Sequence, residues 1–240
     1  MTRHIPNTIT LLNLVCGFAA TIYAVKGYND YASFCIMAGM VFDFSDGFAA
    51  RLLKAYSDIG KDLDSLADVV TFGIAPGAIV MSMLTKAGLD LLPAFAAAAL
   101  IPAASALRLA KFNNDTRQAV TFRGLATPAS AFTVVSVALA ASLTDSRIYD
   151  TMARSPVFII MLALFLAVMM LVNVPMFSLK LTSTRWKGNE ERYLFASVSL
   201  LLLVIFRVAA LPMIMAAYIL TSLLLPLVTG RRAGTGTAKL

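Results

Sequence analysis

VFDFSDGFAARLLKAYSDIGKDLDSLAD, residues 41–68, sets six acids into a chain otherwise built for a membrane; Asp58 and Asp62, in the turn, read as solvated or capping carboxylates, which leaves Asp43, Asp46, Asp64 and Asp68. A carboxylate at the centre of a bilayer costs about 2.5–3.5 kcal/mol on insertion scales, so several together need a cation, a partner or water. Their spacing indicates what could neutralise them. Asp43 and Asp46 are three residues apart and Asp64 and Asp68 four apart, so on helices each pair projects from one face. Brought together by the turn between them, the two faces make a four-carboxylate, all-oxygen site. Hard divalent ions such as Mg²⁺ or Mn²⁺ take such ligands and keep open positions for water and phosphate. Gly47, Ala49, Ala50 and Gly60 are small, which lets a bulky ligand or a second helix come close to the backbone.

The rest of the composition agrees with a membrane setting. Of 240 residues, 59% are hydrophobic and 14% charged, and a mean hydropathy of +0.80 is too high for a soluble domain of this size. The expectation is an all-α integral membrane protein. The first apolar run, from about Thr8, lacks a small-residue cleavage site and leads into the acidic stretch, so no cleavable signal is expected. Cys16 and Cys35 both lie in apolar segments and read as buried hydrophobes, not as a disulfide. His4 is the only histidine, which excludes a histidine triad and a histidine-rich metal site. A general base would have to be a carboxylate, Tyr, Lys or water.

About 20 residues fill a bilayer, and helices are expected near 8–26, 31–54, 61–85, 90–111, 127–144, 156–179, 192–207 and 210–229, about eight in all. Arg207 and Pro212 interrupt the final apolar stretch, which could form one kinked helix or two short ones. With the amino terminus inside, only Lys26, Lys86, Arg147, Arg154 and Arg207 of the 20 basic residues fall outside. That bias favours an even number of spans with both termini cytoplasmic, and it puts the turn within the acidic stretch at the cytoplasmic face. The net charge of +7 then reads as anchoring and as attraction to anionic lipid or nucleotide, with no nucleic-acid partner invoked. One transmembrane catalytic domain over residues 1–230 is expected, with a short polar tail at 231–240. No Walker loop, zinc spacing or Rossmann fingerprint is present, so a bound nucleotide would have to be held by the metal site and its neighbours.

Asp43-x-x-Asp46-Gly47-x-x-Ala50-Arg51, eight residues, then Gly60-x-x-x-Asp64-x-x-x-Asp68 resembles the signature of the CDP-alcohol phosphotransferases, with every fixed position present. The resemblance implies two divalent ions, Asp43 and Asp64 bridging both, Asp46 completing one and Asp68 the other. It also makes Asp68 the proton acceptor for an attacking hydroxyl. Gly47, Ala50, Arg51 and Ser57 fall on the family's nucleotide and phosphate contacts. An amino-terminal segment carrying Asn7, Thr10 and Asn13 is similar to the one that lines the family's nucleotide pocket; Asn7 or Thr8 could equally be a helix cap.

Arg108-Leu-Ala-Lys111-Phe112-Asn113 and Phe122-Arg123-Gly124-Leu125-Ala126-Thr127-Pro128-Ala129 are similar to segments of the family's phosphatidylserine synthase branch, with Ala126 where that branch usually has Pro. This implies CDP-diacylglycerol as donor, L-serine as acceptor, and Arg108, Lys111, Asn113 and Arg123 as acceptor-binding residues. It further implies a multi-pass protein of the cytoplasmic membrane in contact with membrane lipid, often a homodimer. The same residues could instead be ordinary positive-inside cations. Other acceptors, an ether-lipid donor, or a divalent-cation transporter using the four carboxylates as a transit site stay open on the residues alone.

Overall fold

The computed structural model describes residues 4–55, 57–114, 124–174, 176 and 189–229, and these are helical with no strand among them. The helices are α1 (His4–Val25), α2 (Asn29–Leu52), α3 (Asp58–Asp68), α4 (Ala75–Lys86), α5 (Leu91–Ala98) and α6 (Leu100–Asn114), then α7 (Thr127–Leu143), α8 (Arg147–Arg154), α9 (Pro156–Leu171), α10 (Glu190–Phe206) and α11 (Ala210–Thr229). Five helical runs are long and apolar enough to cross a membrane, with α10 and α11 counted as one run over Arg192–Leu224, or six if α8 and α9, bent by 78°, form one span, and α7 is a shorter apolar helix.

The run Asp58–Lys86 is the most buried of these. Hydropathy predicts one helix at 61–85; the structure instead has α3, a π-helical segment Val69–Ile74, and α4. Pro76 explains the break. It has no N–H to give to the carbonyl of Phe72, and its ring would crowd that carbonyl in a regular helix. The widened turn relieves this: the Ala75 N–H reaches back five residues to the Val70 carbonyl. The Phe72 carbonyl takes a side-chain bond from Ser105 of α6 at 3.5 Å. Ser57 starts α3 three residues earlier than hydropathy suggests, its Oγ accepting the Gly60 N–H at 3.0 Å as an N-cap.

Helices α1 and α2 pack closely on each other and on the π segment. Gly17 of α1 and Gly39 of α2 face Thr71, whose hydroxyl donates to the Asn13 carbonyl at 2.9 Å. A Cβ on Gly17 would sit 2.7 Å from the Thr71 Cα, and one on Gly39 would meet the Thr71 side chain and the Asn13 Oδ1 at 2.5 and 2.9 Å. Absence of a side chain at both positions lets the backbones approach as membrane helices do at small residues.

The last apolar stretch is two helices. On a single straight helix Phe195 and Tyr218 would stand about 35 Å apart at 1.5 Å per residue, yet their ring centroids are 6.2 Å apart. The chain therefore reverses through Arg207–Ala209, a 3₁₀ turn entered at Arg207 with φ 49°. Tyr149 of α8 donates to the Ala209 carbonyl at 2.7 Å and ties down that turn.

Helix α9 stops at Leu171, short of the expected 179. Val174 precedes Pro175, which disfavours helical backbone there. The carbonyls near the helix end are used instead by a neighbouring segment, Gly124 N–H donating to Val174 O and Leu125 N–H to Met169 O, both at 2.8 Å.

Gly17→Ala should lower the unfolding temperature in detergent, at a cost of about 1–3 kcal/mol for overpacking. Gly47→Ala, where a Cβ would have nothing within 4 Å, should leave it unchanged or raise it slightly. Thermal scans of the two variants side by side check the difference.

Candidate active site

Helix α2 delivers Asp43 and Asp46, and α3 delivers Asp64 and Asp68. One oxygen from each of Asp43, Asp64 and Asp68 lies within 4.8 Å of the other two. Carboxylates this close need a shared proton or a cation between them. An all-oxygen trio of this size fits a hard divalent ion.

Asp46 is buried and turned toward α1, where the Thr10 hydroxyl donates to its Oδ2 at 2.6 Å. It stays within electrostatic reach of Asp43 and Asp64. Asn13, one turn deeper on α1, is fully buried and donates through Nδ2 to the Asp68 Oδ1 at 3.5 Å. Its Oδ1 has no partner among the described residues. Two polar side chains of the first helix thus each hold one carboxylate of the acidic pair on another helix.

Beside the carboxylates lies a cavity of about 200 Å³. Asn7 and Thr10 line it from α1, Asp46, Gly47 and Ala50 from α2, and Ser57, Gly60, Lys61 and Asp64 from the start of α3. Gly60 sits where a Cβ would be 3.0 Å from both the Asn7 Oδ1 and the Ser57 Oγ, so its small size brings these walls together. Neither Asn13 nor Arg51 lines the cavity; Arg51 is exposed at the end of α2. Lys61, which charge counting treats only as an anchor, is a cation of the cavity wall. Its signal was its place one residue after Gly60, on the turn of helix that carries Asp64.

Residues 3–186 match the family model for CDP-alcohol phosphatidyltransferase. The chain belongs to that family. Among its relatives is a CDP-diacylglycerol–serine O-phosphatidyltransferase of Bacillus subtilis, 40% identical over 129 residues, 52% of this chain and 70% of the relative. One of the same name from Helicobacter pylori is 27% identical over 221 residues, 90% of this chain and 87% of the relative. A third, from Saccharomyces cerevisiae, is 34% identical over 153 residues, and the match spans about half of that relative, 53%.

The matched region of this CDP-alcohol phosphatidyltransferase family member contains all four acids and ends before α10. Of the four residues expected at an acceptor subsite, Arg108, Lys111 and Asn113 lie along α6. Arg123 lies outside the described residues. Lys111 is exposed. Asn113 bridges helices, donating through Nδ2 to the Ser65 Oγ at 2.8 Å, while its carbonyl takes Lys61 Nζ at 3.4 Å. Arg108 is half-buried, within electrostatic reach of Asp68 and of the Tyr218 phenol, and its Nε is buried without a partner among the described residues. Tyr218, on α11, did not stand out in the sequence, where it is one tyrosine in a uniformly apolar run.

Asn113→Ala and Ser65→Ala should each cost about 0.5–1.5 kcal/mol of stability through the lost bond, and the double variant little more than either. A double-mutant cycle on thermal unfolding measures this. A rise in the acceptor KM for Asn113→Ala with unchanged stability would support the acceptor role expected of that residue.

Proposed function

We propose that the protein transfers the phosphatidyl group of CDP-diacylglycerol to the hydroxyl of L-serine, forming phosphatidylserine and releasing CMP. The observation that carries the reading is the trio of carboxylate oxygens within 4.8 Å beside a cavity walled by Thr10, Gly47, Ser57 and Lys61. Serine as acceptor draws its support from the relatives, which are named as CDP-diacylglycerol–serine O-phosphatidyltransferases.

Two divalent ions, Mg²⁺ or Mn²⁺, would be held by Asp43 and Asp64 together, with Asp46 and Asp68 completing one each, and would supply neutralisation of the pyrophosphate charge. The protein's own groups do the rest. Asn7, Thr10, Gly47, Ala50 and Ser57 hold the CDP part, with Lys61 facing its phosphates and Arg51 at the helix end. Asp68 accepts the proton of the serine hydroxyl. The freed oxygen bonds to the phosphorus that carries diacylglycerol, the anhydride P–O bond breaks, and CMP leaves with the electron pair. A carboxylate base is chemically suited because it lies within the site and no imidazole is at hand. Thr10 and Asn13 keep Asp46 and Asp68 oriented through the bonds described above.

The topology belongs to the same proposal: eight crossings of the cell membrane, both termini cytoplasmic, one catalytic domain over 1–230, and the site near the cytoplasmic face. The lysine and arginine distribution supports it. A cation-transit site would require neither the cavity beside the acids nor membership of this family.

Asp43→Asn and Asp64→Asn should each abolish CMP release while the protein still inserts. Asp68→Asn should keep part of the metal-dependent binding of CDP-diacylglycerol but lose about 10²–10⁴-fold in transfer, the usual cost of a missing base. Turnover assays paired with thermal shift in the presence of CDP-lipid and Mn²⁺ separate the two effects. Proportional loss of binding and turnover in Asp68→Asn would make it a metal ligand only.

A further inference from the structure

We infer that Lys61 bridges the nucleotide-side phosphate of the donor to the carboxy-terminal end of α6, so that filling the donor cavity steadies that helix end. The inference deepens the proposed reaction and rests on the cavity taking the CDP part of the donor.

A closed ring of hydrogen bonds holds Lys61 between the cavity and α6. The Lys61 Nζ donates to the Asn113 carbonyl at 3.4 Å, the Asn113 Nδ2 donates to the Ser65 Oγ at 2.8 Å, and the Ser65 hydroxyl donates to the Lys61 carbonyl at 3.1 Å. Lys61 and Ser65, one helical turn apart on α3, thus grip the last turn of α6 at two points. The carbonyls of a last turn have no partner within their own helix, and the lysine supplies one. An ammonium carries three N–H donors, and Asn113 takes one of them. The other two are left to a side chain that also lines the cavity. Among the described residues of that wall Lys61 is the one cation, and it shares the wall with Asp46 and Asp64, whose charge would otherwise repel a phosphate.

Position along α3 selects the phosphate. Lys61, Asp64 and Asp68 are spaced i, i+3, i+7 and share one helix face. Asp68, two turns beyond Lys61 and about 10 Å along the axis, is assigned to the reacting hydroxyl and does not line the cavity. The phosphorus under attack therefore belongs at the Asp68 end, and the phosphate that leaves with the nucleoside belongs at the Lys61 end. Lys61 also lies in the first turn of α3, where the positive end of the helix dipole favours an anion.

The test titrates the full-length protein in detergent, with Mg²⁺ held constant, against CMP and against cytidine, which lacks the phosphate, and follows amide hydrogen exchange over residues 109–114 of α6. Lys61→Met keeps the aliphatic stem and removes the donors. It should weaken CMP binding about tenfold while changing cytidine binding by less than about twofold, and Lys61→Arg should recover most of the loss. In the wild type CMP should slow exchange at the end of α6, and in Lys61→Met it should not. Unchanged CMP binding in Lys61→Met, or equal losses for CMP and cytidine, would overturn the inference. So would a wild-type protein in which bound CMP leaves exchange at 109–114 unaltered, a result that depends on no variant. A wild-type protein that binds no CMP would overturn the donor reading of the cavity itself, and this inference with it.

Discussion

Several carboxylates in a low-dielectric slab repel one another and resist burial, and most of this architecture answers that constraint. Helices α2 and α3 are turned so that three acids converge on a volume a cation would fill, while the fourth is drawn aside by Thr10. Asn13 steadies the deepest acid from a different helix. Asp46 and Asp68 thus each have a neighbour on α1 that fixes their direction before any ligand arrives. Such preorganisation is what a site for charged phosphates requires.

Close helix approach makes this arrangement reachable. Asn13 can touch Asp68 only because Gly17 and Gly39 let α1 and α2 lie against the π segment, and because Thr71 locks the crossing through the Asn13 carbonyl. Packing between small residues, van der Waals in origin, here sets the position of the polar chemistry. Stability and catalysis share the same few contacts at this crossing.

The acidic pairs were legible because spacings of three and four place residues on one helix face whatever the surroundings, and the apolar runs were legible because a bilayer demands them. The conversion of Val69–Ile74 to a π turn was not, since Pro76 reads equally well as the first residue of a new helix. Nor was the end of α9, where a distant Gly124 competes for the helix carbonyls. The bond from Asn113 to Ser65 was invisible without the fold. Tyr218 lies against Phe195, and only the reversal at Arg207 brings those two rings together.

The π turn after Asp68 has a geometric side effect. It holds one residue more than an α turn, so everything before it is rotated by about 100° relative to an unbroken helix. The carboxylates of α3 and the packing face of α4 therefore sit on different phases of what is nearly one rod. Deleting a single residue between 69 and 74 would remove the widened turn that keeps the Pro76 ring clear of the preceding carbonyls.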